Sequence, residues 1–85
     1  MPTVLRDGGY QFIIFTSDHP PAHVHVRYAG RLAKIQLELV EFERTGGLKA
    51  GEQSRILKIA RDNREFLLVE WNRLHPPEEA NDDEE

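Results

Sequence analysis

The 85 residues contain no cysteine. No disulfide framework and no thiolate metal site can therefore support the core, and any metal would have to be held by histidine and carboxylate side chains. Long apolar runs are also missing, and the opening "MPTVLRDGGYQF" lacks the basic stretch, apolar segment and small-residue cleavage site of a signal peptide. A soluble protein of the reducing cytoplasm, without membrane contact, is the expectation. There is too little chain for two cores, and no internal repeat is visible. One α+β domain is expected over residues 1–75, with a disordered acidic tail over 76–85.

Net positive charge is lacking too, but the formal value of -4 conceals two opposite parts. Glu78, Glu79, Asp82, Asp83, Glu84 and Glu85 put six negative charges in the last eight residues, while residues 1–77 hold 11 Lys and Arg against 9 Asp and Glu. The body is mildly basic. An acidic arm of this kind either stays solvated or folds over a basic patch and competes with nucleic acid, the first being the plainer reading.

The first half alternates in the manner of strands. "TVLR" (3–6) and "YQFIIFT" (10–16) flank Asp7-Gly8-Gly9, a hairpin signal. Pro20 and Pro21 then interrupt, because consecutive prolines remove two backbone donors. "AHVHVRY" (22–28) and "RLAKIQLE" (31–38) flank Ala29-Gly30 and read as a second hairpin, with Gly30 supplying a positive φ. Pairing Tyr28 with Arg31 puts Val26 opposite Ala33, Val24 opposite Ile35 and Ala22 opposite Leu37 on one face. His25 opposite Lys34, His23 opposite Gln36 and Arg27 opposite Leu32 then form the other face.

After Gly46-Gly47 the period changes. Ile56, Ala60, Asn63, Leu67, Trp71 and Leu74 recur at steps of three or four, the stripe of a helix that covers a sheet face. "RDNREF" (61–66) breaks the apolar run, so one bent helix or two helices are expected, with Asn63 capping the second and Pro76-Pro77 ending it. The expected fold is a small antiparallel sheet of about four strands, made of two hairpins, packed on this C-terminal helical segment. A domain this small buries little surface, which favours a homodimer or a complex with another chain, and the sheet edges offer a route to it.

"HPPAHVHV" (19–26) holds three of the four histidines. On a strand, His23 and His25 point the same way with Cα atoms roughly 7 Å apart, close enough for two imidazoles to reach one ion. His19 is the third metal candidate, with Asp18 beside it and Glu38 next on the polar face; such a set suits Zn, Ni or Cu. A second reading uses His23, His25 and Lys34 as acid, base and cation for metal-free RNA cleavage. In a third, the histidines are half-buried polar residues bonded to backbone or to Gln36. Arg27, Lys34, Arg55 and Lys58 are candidate contacts for RNA, DNA or another anion, although Glu52, Asp62 and Glu65 intersperse the basic helix stripe.

The stretches "PTVLRDGGYQFIIFTSDHPPAHVHV", "AKIQLELVE" and "NREFLLVEWNRLH" together resemble a family of small bacterial proteins known as domain of unknown function 4160, the most specific part running from "GGY" through "DHPPAHVHV". The resemblance implies a protein encoded beside another small protein, in an arrangement like that of toxin–antitoxin modules. A complex with that neighbour is then an expected partnership. The acidic extension after Pro77 departs from the family pattern.

Overall fold

A computed structural model describes residues 3–76. Five strands come first: β1 (Thr3–Asp7), β2 (Tyr10–Ile13), β3 (His23–Tyr28), β4 (Arg31–Gln36) and β5 (Glu41–Arg44). Two helices follow, α1 (Ala50–Asp62) and α2 (Arg64–Leu74). Each strand pairs antiparallel with the next, so the sheet order is the chain order. The architecture is α+β, with the helical segment divided in two.

Both two-residue hairpin turns lie where the turn residues put them. Gly8 (φ 59°) and Gly9 (φ 85°) join Asp7 to its partner Tyr10, and Ala29 (φ 52°) and Gly30 (φ 77°) join Tyr28 to Arg31. A hairpin of this hand needs positive φ at both central residues, so Ala29 is carried into the left-handed region at a steric cost of about 1–2 kcal/mol. The β3–β4 register matches the one counted out from Tyr28 and Arg31 at all six pairs from His23↔Gln36 inward.

The fifth strand is the main difference from the sequence reading. "EFER" has one apolar residue in four and no alternation long enough to signal a strand, yet β5 pairs with β4 through Ile35↔Phe42 and Lys34↔Arg44. The connection is held by Gln36, whose Oε1 accepts the Leu39 N–H at 2.6 Å, and by Arg64, whose guanidinium donates to the carbonyls of Leu37 (2.9 Å) and Glu38 (3.1 Å). Behind β5, Gly46 passes so close to β4 that a Cβ there would collide with the Leu32 carbonyl. β2 ends at Ile13, three residues short of the expected span, because Phe15 to Asp18 form a turn.

Helices and sheet meet over one face. Phe12, Val24, Val26, Ala33 and Ile35 pack with Ile56, Ala60, Leu67 and Trp71 in a single cluster. The helix break falls at Asn63 (φ -114°, ψ 18°), but its side chain makes no cap for α2. Its amide instead donates to the Ile59 carbonyl at 2.8 Å, closing the end of α1, which corrects the expected role. Among the described residues no helix is long and apolar enough to cross a membrane. The tail expected over 76–85 lies outside the described residues except for Pro76.

Candidate metal centre

Alternation along β3 sends Val24 and Val26 into the core and His23 and His25 to the opposite face. There they meet the turn that follows β2. The backbone N–H of Asp18 donates to the Phe15 carbonyl (3.1 Å), and the Phe15 N–H donates back to Asp18 Oδ2 (3.2 Å), so a four-residue turn aims this carboxylate at β3. Asp18 Oδ2 lies 3.3 Å from His23 Nε2 and 3.8 Å from His25 Nδ1. One ligand atom from each of Asp18, His23 and His25 lies within 4.8 Å of the others, so the three could hold a metal ion. Two donors about 2.0–2.1 Å from a tetrahedral ion stand roughly 3.3 Å apart, so a small contraction would complete the geometry.

Asp18 Oδ2 accepts the Phe15 N–H on one side and faces the two imidazoles on the other. A carbonyl only accepts, so His23 Nδ1, 2.9 Å from the Pro21 carbonyl, carries a hydrogen, and the ring presents Nε2 to the Asp18 carboxylate. Nδ1 of His25 is buried and, among the described residues, has no hydrogen-bond partner. The side chains of Asp18, His23 and His25 are only 16 %, 7 % and 12 % exposed, so water has little access to this group. Burial holds the pKa of His25 below its ordinary value; Asp18 pulls it up, and His23, Lys34 and Arg44 push it down further. A neutral imidazole is the form that binds a metal.

Aromatic rings hold both histidines in place. Phe15 sets its ring edgewise on His25 (centroids 4.9 Å), His23 stands edgewise to His25 (5.3 Å), and Trp71 of α2 covers His23 (5.1 Å). His75, just past α2, stacks on Trp71 at 3.9 Å, and its Nε2 lies 2.9 Å from the Phe15 carbonyl. Phe15 therefore connects Asp18, His25 and the end of α2.

The other candidates fall elsewhere. His19 is exposed and outside the close group, although it lines the same surface hollow as Asp18, His23 and His25. Glu38 is exposed in the β4–β5 connection, where Arg64 binds its carbonyl. Lys34 also lines the hollow, with its ammonium 3.2 Å from Glu43 Oε1. Arg27 is on the same sheet face as the histidines, opposite Leu32 and Gln11. Arg55 and Lys58 belong to the helical layer, where Arg55 donates to the Tyr10 hydroxyl (3.2 Å) and Lys58 pairs with Asp62 (2.9 Å). The four cations thus do not form one patch.

His23 is 5 % exposed beneath Trp71 and lines the hollow together with His25 and Lys34. The sequence showed the spacing of His23 and His25 and offered His19 ahead of Asp18 as the third ligand, whereas Asp18 joins the close group; it gave no sign of His75, which reaches Phe15 across 60 positions. A family model described as "Domain of unknown function (DUF4160)" matches residues 9–72, which include all three close ligand candidates. No curated protein and no solved structure matches the chain.

Proposed function

The chain belongs to the DUF4160 family, whose description names no activity, and from the site itself we propose that it is a metal-binding module in which Asp18, His23 and His25 hold one divalent transition ion. The observation that carries this reading is the buried Nδ1 of His25, without a hydrogen-bond partner among the described residues and 3.8 Å from a carboxylate oxygen that also faces His23 Nε2. A cation between them would engage all three groups as ligands and give the buried His25 Nδ1 a partner. The Pro21 carbonyl on the far nitrogen of His23 is the kind of outer contact that orients a metal-bound imidazole. Two imidazoles and a carboxylate suit zinc, with nickel and copper as competitors, and leave at least one coordination position open.

Elemental analysis and metal titration of tag-free full-length protein test this. One ion per chain is expected in the wild type, with affinity lowered at least about tenfold in Asp18→Asn, His23→Ala and His25→Ala and unchanged in His19→Ala. Equal binding by all five proteins would reduce the metal to surface adsorption. Loss in His19→Ala with retention in Asp18→Asn would replace the ligand set.

A partner-binding role of the toxin–antitoxin-like kind is a second proposal. It is supported by the edge strands β1 and β5, which have no further strand beside them among the described residues, and by Leu39, Phe66 and Val69, which are exposed. Sedimentation of the chain alone and with the protein encoded beside it tests both a homodimer and a complex; a monomer in both mixtures would end this reading.

A further inference from the structure

The open side of the site has its own chemistry. An open hollow of about 360 Å³ is lined by Asp18, His23 and His25 on one wall and by Lys34 and Glu43 on another. Lys34 is the cross-strand partner of His25, and both side chains leave the same face of the sheet. Its ammonium has three donors; Glu43 engages it through one oxygen at 3.2 Å, and both groups are partly exposed. Arg44 is the β5 partner of Lys34, and Lys34 and Arg44 both lie near enough to act on the charge of His25.

Charge then selects the ligand. A divalent ion held by two neutral imidazoles and one carboxylate keeps a positive excess, and Lys34 and Arg44 together exceed Glu43. Neutral or cationic groups gain little at such a position. An anion with several oxygens can place one on the ion and another on the Lys34 ammonium, a compact point charge suited to phosphate. The hollow, about 360 Å³, lies at the small end of the range for small-molecule sites and admits one phosphate group with a short substituent.

We propose that the loaded site binds the phosphate group of a small phosphorylated molecule, with one oxygen on the Asp18/His23/His25 ion and another on Lys34. This deepens the metal-binding reading and depends on it. Glu43 competes with the phosphate for Lys34, and the anion displaces that ion pair on binding.

The full chain loaded with cobalt(II) tests the assignment through its visible absorption, with inorganic phosphate as the probe. A saturable spectral change is expected in the wild type. Lys34→Met should weaken phosphate binding about tenfold, the worth of one charged hydrogen bond, while cobalt affinity is held or raised by loss of a nearby positive charge. Glu43→Gln should tighten phosphate binding severalfold, a gain that a merely damaged fold would not produce. Cobalt binding with no spectral response to phosphate overturns this proposal alone, as does undiminished phosphate affinity in Lys34→Met. Failure of cobalt to bind the wild type overturns the metal reading and this proposal together.

Discussion

At the residue scale, Asp18 and His19 are neighbours with opposite fates. The turn bonds between Phe15 and Asp18 point the carboxylate inward, and the next residue along the extended chain is exposed. Periodicity could place His23 and His25 on one face because a strand repeats every two residues, but no period governs a loop, so the third ligand could not be chosen from spacing. His25 makes a prediction of its own for the metal-free protein. Its native pKa is depressed, chiefly by burial, so the unfolded chain takes up the proton first as pH falls. The stability contributed by the neutral ring is complete above the unfolded value of about 6.5 and is lost as pH falls towards the native value. Urea midpoints of chelator-treated protein from about pH 8 to about pH 5 should therefore fall more steeply in the wild type than in His25→Asn. Parallel slopes would show that His25 is not held neutral by the fold.

Among the elements, β3 and β4 were legible down to each cross-strand pair, because one apolar face and a two-residue turn leave a single register. β5 was not, since its pairing depends on groups outside it: Gln36 and Arg64 fix the connection, and the bare Gly46 permits the close pass behind β4. The end of α2 is a comparable case. His75 Nδ1 lies 3.0 Å from the Trp71 carbonyl and Nε2 2.9 Å from the Phe15 carbonyl, so the ring bridges the helix terminus and the turn that carries Asp18. His75→Phe keeps a ring to stack on Trp71 and removes both contacts. It should cost about 1–2 kcal/mol in urea unfolding. Metal affinity should weaken by up to about tenfold through the misplaced turn, although His75 is not a ligand. An unchanged metal affinity beside the expected loss of stability would confine His75 to a structural role.

For the whole molecule, the helices bury Val24, Val26 and Ile35 on one face of the sheet, Asp18, His23 and His25 gather beside Phe15 on the other, and Trp71 belongs to the core cluster while also contacting His23. A domain this small has little stability in reserve, so an ion bound only to the folded chain should register strongly. At a free concentration about 100 times its Kd, zinc should add about 2.7 kcal/mol. At about 4–8 °C per kcal/mol this raises Tm by on the order of 10 °C or more, reversed by a chelator and absent in Asp18→Asn. A zinc-independent Tm in the wild type would count against a single tight site. By itself the sequence determined the α+β class, the two hairpins and the register of the second, the helical stripe and the shared face of His23 and His25. Each of these follows from a local period or from turn residues a few positions apart. The tertiary structure alone decided that Asp18 completes the group in place of His19, that Glu41–Arg44 is a strand, and that His75 reaches Phe15. These contacts join residues whose spacing obeys no period, and only the packed chain brings them together.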